Sequence, residues 1–130
     1  MGLQINKIHH VAIISADYLR SKHFYVDLLG CKVVREIYRA ERQSYKLDLE
    51  IGGVYCIELF SFPNPPQRVS HPEAAGLRHL AFEVDSIEEA VQYLREHDVN
   101  VEEIRIDPTT GKKYTFFSDP DNLPLELYEK

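Results

Sequence analysis

Two histidines and two glutamates recur in this chain at nearly matching intervals. His79 follows His10 by 69 positions, and Glu126 follows Glu58 by 68 positions. Neutral imidazole nitrogens and carboxylate oxygens are ligands that divalent transition ions accept in proteins. The spacing predicts that His10, Glu58, His79 and Glu126 bind one divalent cation per site. The ligand types favour zinc, nickel or cobalt, with manganese or ferrous iron as alternatives.

The segments around these four residues are also alike, which indicates an internal repeat. Residues 8–17 and 77–85 each read as an apolar stretch with a histidine near its start, leading to an aspartate. Residues 56–60 and 124–128 each place a glutamate between large apolar residues. Because repeated sequence folds into equivalent structural units, each pair of matching residues is expected to occupy equivalent places in the fold.

The elements that must position the four residues follow the order strand, helix, strand, strand, strand in each half. Hydrophobic periodicity predicts helices near 17–29 and 85–97, the second opened by a capping box of Asp85 and Glu88. The fold class is therefore α+β with paired βαβββ modules, at 5–62 and 75–130, within one domain of residues 1–130. The linker is 61–68, where three prolines fall within four residues. Strands other than those carrying the histidines are predicted near 31–38, 44–51, 54–62, 99–106, 112–118 and 123–129.

Strand alternation predicts which face each candidate ligand occupies. Side chains alternate between the two faces of a strand, so each histidine and each glutamate lies opposite a mostly aliphatic face that packs on the helix. Burying carboxylates without a partner is costly, and a bound cation would relieve this cost. His9 is the alternative to His10, because a register error of one residue exchanges the two faces.

Composition excludes several functional classes. The formal net charge is −6, which argues against nonspecific binding of nucleic acid. Cys31 and Cys56 lack metal-ligand spacing, and the N-terminus does not resemble a secretory signal. No apolar run approaches the roughly 20 residues of a membrane helix. A cytoplasmic protein with a small-molecule substrate, and with neither a membrane nor a nucleic-acid partner, is expected.

The chain resembles the vicinal oxygen chelate superfamily and, within it, glyoxalase I (lactoylglutathione lyase). The resemblance implies half-open, barrel-like mixed sheets with helices outside, around an ion that keeps positions open for substrate oxygens. All four metal positions of that family are filled here. The motifs that carry the resemblance are His10-Val11-Ala12-Ile13 with Asp17, Phe24-Tyr25 with Leu29-Gly30, Ile57-Glu58-Leu59, Gly76 to Asp85, and Asp119 to Leu127.

The same resemblance implies a reaction and an assembly. The ion would polarise the hemithioacetal of a 2-oxoaldehyde and a thiol, stabilise the enediolate formed on proton loss, and leave a 2-hydroxyacyl thioester. Glu126 or Glu58 would be the catalytic base, and Glu126 is favoured. Related small enzymes build each metal site from one module of each subunit, so a homodimer with shared sites is expected.

Two departures from the glyoxalase I pattern keep other functions open. Ile14 and Phe62 stand where enzymes acting on glutathione adducts commonly have arginine and asparagine. A different thiol, a thiol transferase, a dioxygenase and a binding protein without catalysis are the alternatives. The second carboxylate, Glu58, disfavours the dioxygenase. Residues that could hold an anionic substrate, but are more simply explained as solvated, are Arg39, Arg42, Lys46, Lys112, Lys113 and Tyr114.

Overall fold

The computed structural model describes all residues, Met1–Lys130. It divides into two compact units, Met1–Pro66 and Gln67–Lys130, called here unit 1 and unit 2. Each unit contains one four-stranded mixed sheet.

Unit 1 follows the predicted order of a strand, a helix and three strands. Its sheet has the order β1-β4-β3-β2, with β1 parallel to β4 and the other neighbours antiparallel. The hairpin between the last two strands turns on Gly52 and Gly53, whose φ angles of 58° and 79° suit glycine. The elements are β1 Val11–Ser15, α1 Tyr18–Lys22, a π-helical segment His23–Leu28, β2 Lys32–Arg39, a 3-10 turn Ala40–Arg42, β3 Ser44–Ile51 and β4 Val54–Ser61.

Unit 2 repeats this order. Its sheet has the order β5-β8-β7-β6, again with the first strand parallel to the last. The predicted pairing of βαβββ modules is therefore confirmed. The elements are β5 Leu80–Val84, α2 Ile87–Glu96, β6 Arg105–Ile106, β7 Lys113–Ser118 and β8 Pro124–Glu129.

Strand registers place the two glutamates at equivalent positions. Glu58 pairs with Ala12 on β1, and Glu126 pairs with Ala81 on β5. The strand neighbours of each glutamate are buried leucine or isoleucine side chains, and α2 packs on β7 and β8. Alternation along each strand thus puts a glutamate on the face opposite the aliphatic core. The buried aliphatic residues of the two last strands are Ile57, Leu59, Leu125 and Leu127.

The helices differ from the predictions in detail. The first changes from α to π geometry at His23 and ends at Leu28, two residues before Gly30, where φ is 82°. The capping box assigned to Asp85 and Glu88 is wrong, because the N-cap is Ser86, whose side chain accepts a hydrogen bond from the backbone N–H of Glu89 at 3.2 Å. Neither helix has the length and apolar character of a membrane-spanning segment.

The strand predicted near 99–106 is the least accurate prediction. Only Arg105–Ile106 forms a strand. Upstream, the Thr115 hydroxyl donates to the carbonyl oxygen of Glu102 at 2.7 Å, and the Glu102 N–H donates to the Phe116 carbonyl at 2.9 Å. The Glu102 carbonyl thus accepts from a side-chain hydroxyl, whereas in a longer strand it would accept from a backbone N–H of the neighbouring strand.

Candidate metal centre

The predicted ligands meet in pairs, one pair in each unit. In unit 1 the Nε2 atom of His10 lies 3.3 Å from Oε1 of Glu58. In unit 2 the Nε2 atom of His79 lies 3.2 Å from Oε1 of Glu126. These two couples are called here the unit 1 pair and the unit 2 pair. Neither unit gathers three or more potential ligands of this kind.

The pairs arise because each histidine directly precedes the strand that lies parallel to the glutamate strand. His10 comes just before β1, and His79 just before β5. Both glutamate side chains are 14% exposed, so they are largely shielded but still open on one side. The same local topology therefore builds the same couple twice.

The N···O separation within each pair is compatible with both atoms of that pair binding one ion. Two ligands that each lie about 2.1 Å from one ion are about 3.0 Å apart in an octahedral site and about 3.4 Å apart in a tetrahedral one. The observed N···O separations of 3.3 and 3.2 Å lie between these values. An imidazole nitrogen and a carboxylate oxygen from each pair are also the donor types that zinc, nickel and cobalt accept.

His9, the alternative to His10, supports the neighbouring ring instead of facing Glu58. Its Nδ1 atom lies 2.8 Å from Nδ1 of His10. If His10 binds an ion through Nε2, its Nδ1–H donates to His9, an arrangement that orients ligand histidines in metal sites. Strand parity thus places the carboxylate beside His10 and leaves His9 as a hydrogen-bond partner.

Glu58 has two further partners that sequence reasoning did not assign to it. The Tyr55 hydroxyl donates to Oε2 of Glu58 at 2.5 Å, and Nζ of Lys46 lies 3.5 Å from the same oxygen. Burial raises the pKa of the Tyr55 hydroxyl, and the hydrogen bond to Glu58 raises it further. Tyr55 therefore remains a protonated donor at neutral pH.

Asp48 is the second residue that sequence reasoning missed. It is 1% exposed and pairs with Glu58 across the sheet. Its carboxylate accepts from Lys46 at 2.8 Å and from Arg35 at 3.0 Å. Burial raises the pKa of the Asp48 carboxyl, but the hydrogen bonds from Lys46 and Arg35 outweigh burial and hold this pKa below its usual range.

Aromatic and guanidinium groups surround the unit 2 pair. The Phe116 ring meets the His79 ring edge to face, with centroids 5.1 Å apart. Arg105 lies over Tyr114 at 5.1 Å and over Phe116 at 5.6 Å. Arg78 donates from Nη1 to Nδ1 of His79 at 3.1 Å, since a guanidinium carries no acceptor.

A cavity of about 220 Å³ lies within unit 2. Arg78 and Phe116, which both contact His79, form part of its wall. Its volume suits a small molecule. Its other polar wall residues are Arg68, Ser70, His71, Glu73, Glu102, Arg105 and Ser118.

Three of the remaining candidates for anion binding, Arg39, Arg42 and Lys113, contact other side chains. Arg39 lies 5.1 Å over the Phe60 ring and Arg42 lies 5.0 Å over the Phe62 ring. Lys113 forms an ion pair with Glu88. Phe62 stacks on Phe60 at 5.9 Å. The position that carries asparagine in glutathione-dependent enzymes thus belongs here to an aromatic stack.

The comparison with known families decides the family. The profile of the Glyoxalase/Bleomycin resistance protein/Dioxygenase superfamily matches residues 7–127. This chain belongs to that superfamily. The predicted superfamily and fold class are confirmed, whereas the finer resemblance to glyoxalase I stays a prediction. The candidate ligands of both pairs lie within the matched residues.

Three proteins similar to this chain match it over most of their own length. The uncharacterized protein YwkD of Bacillus subtilis is 62% identical over 97% of this chain and 98% of its own. The crystal structure of a glyoxalase family protein from Enterococcus faecalis has a TM-score of 0.87 at 51% identity, covering 95% of this chain and 97% of that one. The metallothiol transferase FosB of Staphylococcus saprophyticus is 30% identical over 95% of this chain and 77% of its own.

Proposed function

We propose that this protein is a divalent-metal-dependent lyase of the glyoxalase I type. The observation that carries the proposal is that the unit 1 pair and the unit 2 pair are equivalent, with N···O separations of 3.3 and 3.2 Å. One ion bound by His10, Glu58, His79 and Glu126 would have the ligand set of that enzyme group. When bound, the ion supplies a Lewis acid that polarises adjacent substrate oxygens.

In this proposal Glu126 moves the proton. The substrate is the hemithioacetal of a 2-oxoaldehyde, and the product is the isomeric 2-hydroxyacyl thioester. Glu126 takes the proton from the carbon that bears the sulfur and returns it to the neighbouring carbonyl carbon, while the hydroxyl proton of the first carbon passes to the carbonyl oxygen of the second. The step is an isomerisation, so it needs no oxidant or reductant. The nearest cavity of unit 2 is bordered by Arg78 and Phe116, which contact His79, while neither His79 nor Glu126 forms part of its wall.

A thiol transferase is the second candidate, and similarity to FosB favours it. Both reactions would use the same ion and a thiol, but the transferase joins the thiol to a second substrate instead of isomerising its adduct.

Free Cys31 and Cys56 support a reducing cytoplasm as the proposed compartment.

Elemental analysis is the first experiment. Protein purified without chelator should carry about one divalent ion per chain, while Glu126→Ala and His79→Ala should fall towards zero, because each removes a ligand. His97→Ala is the matched control, since His97 contacts the Tyr93 carbonyl on α2 and neither pair. Wild-type protein that stays metal-free after exposure to nickel, zinc, cobalt and manganese would contradict the proposal.

An activity screen follows on the loaded protein. Methylglyoxal is combined with glutathione, cysteine and 2-mercaptoethanol, and thioester formation is followed by absorbance. Turnover with at least one thiol is expected. Thiol consumption without thioester formation, in the presence of an electrophilic second substrate, would favour the transferase instead.

We further propose a homodimer in which each site takes His10 and Glu58 from one chain and His79 and Glu126 from its partner. A mixed dimer of one His10→Ala chain and one His79→Ala chain tests this arrangement. If sites are shared, one site of the mixed dimer contains both substitutions and the other is fully wild type. The mixed dimer then binds half as much metal as the wild-type dimer. If each site lies within one chain, both sites lack a ligand and the mixed dimer binds no metal.

A further inference from the structure

The two oxygens of Glu58 have separate partners. Oε1 faces His10 at 3.3 Å, in the direction of the proposed ion. Oε2 accepts the Tyr55 hydroxyl at 2.5 Å and lies 3.5 Å from Nζ of Lys46. A carboxylate held in this way presents one oxygen to an ion and has its second oxygen occupied by the protein.

A β-bulge brings Tyr55 to the face of Glu58. Leu49 pairs with Ile57 while Glu50 pairs with Tyr55, so Cys56 is an extra residue on β4. Without that extra residue, a position three places from Glu58 would lie on the opposite face of the strand. The bulge also packs the Tyr55 ring against the His10 ring, with centroids 5.7 Å apart.

Lys46 is held in place by the buried carboxylate of Asp48. The two side chains lie on one strand with one residue between them, so they share a face, and their N···O separation is 2.8 Å. Only 22% of the Lys46 side chain is exposed. Asp48 is buried and also bound by Arg35, so Lys46 has a fixed anchor in addition to Glu58.

Glu126 lacks every one of these supports. Leu123 stands three places before Glu126, where Tyr55 stands before Glu58. Phe116 pairs with Glu126 across the sheet, where Asp48 pairs with Glu58. The nearby Tyr128 directs its hydroxyl to Asp107 at 2.8 Å. His79 is thus the one side chain that pairs with the Glu126 carboxylate.

We propose that Tyr55 and Lys46 are positioning residues that fix Glu58 as a one-oxygen ligand and leave Glu126 as the carboxylate that moves during turnover. The assignment of these roles rests on the proposed metal-dependent function. The difference in side-chain restraint, in contrast, is a property of the metal-free chain and is measured without metal.

The first experiment compares side-chain order in the metal-free protein. Carbon-13 relaxation of the glutamate methylene groups reports motion on the picosecond to nanosecond scale. The order parameter of the Glu58 side chain should exceed that of Glu126, and Tyr55→Phe should lower the former only. Tyr38→Phe is the matched control, because the Tyr38 ring packs on Tyr45 and not on Glu58. Equal order parameters, or no change in Tyr55→Phe, would overturn the proposal even if no metal binds.

The second experiment measures cobalt(II) binding through its visible absorption. Removing a group that orients a ligand typically weakens metal binding about 10- to 100-fold. Tyr55→Phe, which keeps the charge, should show this loss and an altered cobalt spectrum. Lys46→Met should also alter the spectrum, with a smaller loss of affinity because removing a positive charge favours cation binding, and Lys46→Arg should restore the spectrum. Thermal unfolding checks that each variant folds.

The two experiments distinguish failure of the metal-dependent function from failure of the positioning role. Wild-type protein that binds none of cobalt, nickel, zinc and manganese contradicts the metal-dependent function, and the relaxation measurement still decides the restraint of Glu58. If wild type binds cobalt and both variants match its affinity and spectrum, the positioning role is wrong while the function stands.

Discussion

A hydroxyl group and an ammonium group contact the glutamate of the unit 1 pair, whereas an aromatic ring lies opposite the glutamate of the unit 2 pair. Asp48 and Phe116 occupy the same register position opposite the two glutamates. The couples themselves have almost the same N···O separation, and their glutamates the same 14% exposure. The two units therefore share the geometry of the proposed ligands, while the side chains that contact these ligands differ.

This difference indicates a division of roles between the two pairs. A ligand with hydrogen bonds on its second oxygen keeps its position at low entropic cost when an ion binds. Glu126, which is equally exposed but lacks these hydrogen bonds, is less restrained, and this suits a group that must exchange a proton. Three predictions separate the pairs experimentally.

The largest expected effect distinguishes Glu126 from Glu58 in turnover. At saturating metal, Glu126→Gln should lower kcat by about 10²- to 10⁴-fold, the usual contribution of a general base. Glu58→Gln should raise the metal concentration needed for activity and lower kcat less. Glu96→Gln at the end of α2 is the control, because its carboxylate bonds only to Gln92. A larger loss of kcat in Glu58→Gln would reverse the assigned roles.

The contrast between predicted and observed structure has a physical explanation. Alternation along β4 and β8 was sufficient to place Glu58 and Glu126 opposite the core, because side-chain direction follows directly from strand geometry. The role of Tyr55 was not predictable in this way. An extra residue at Cys56 reverses the alternation, and no local residue pattern marks a bulge of this kind.

Other differences also come from competition between local interactions. Ser86 caps α2 in place of the neighbouring Asp85, since both residues are good caps and sequence separates them poorly. The strand around Arg105 is short because Thr115 bonds to upstream carbonyl groups. Periodicity identifies the elements, while side-chain hydrogen bonds set where they begin and end.

The second prediction concerns stability and its pH dependence in unit 1. Asp48→Asn should lower the free energy of unfolding by about 2 kcal/mol at pH 7, because it leaves Lys46 and Arg35 without their buried anion. The folded-state pKa of Asp48 lies below its usual range, so this contribution is present above about pH 5 and is lost as pH falls below about 4. Urea unfolding at several pH values measures it.

Glu88→Gln in unit 2 is the control for that experiment. Its partner Lys113 and the carboxylate itself are both exposed, so the unfolding midpoint should not change. If Asp48→Asn also leaves the midpoint unchanged, the charged network does not stabilise unit 1.

The third and smallest predicted effect has opposite signs in the two units. His9→Ala should weaken cobalt binding by about tenfold, because it removes the acceptor that orients the Nδ1–H of His10. Arg78→Met should strengthen binding by a few-fold, about 1 kcal/mol or less. The reason is that Arg78 donates to Nδ1 of His79. This contact requires an unprotonated Nδ1 and places the proton of the neutral ring on Nε2, the atom that must bind the ion.

Loss of one positive charge would by itself favour cation binding, so the Arg78→Met result needs a control. Lys130→Met changes the net charge by the same amount at the end of the chain and contacts neither pair. Its effect should be smaller than that of Arg78→Met. Equal effects would mean that Arg78 acts through charge alone, and weaker binding in Arg78→Met would mean that Arg78 supports His79 as His9 supports His10. In that case the two pairs would share the same kind of support, and the division of roles would rest on the glutamates only.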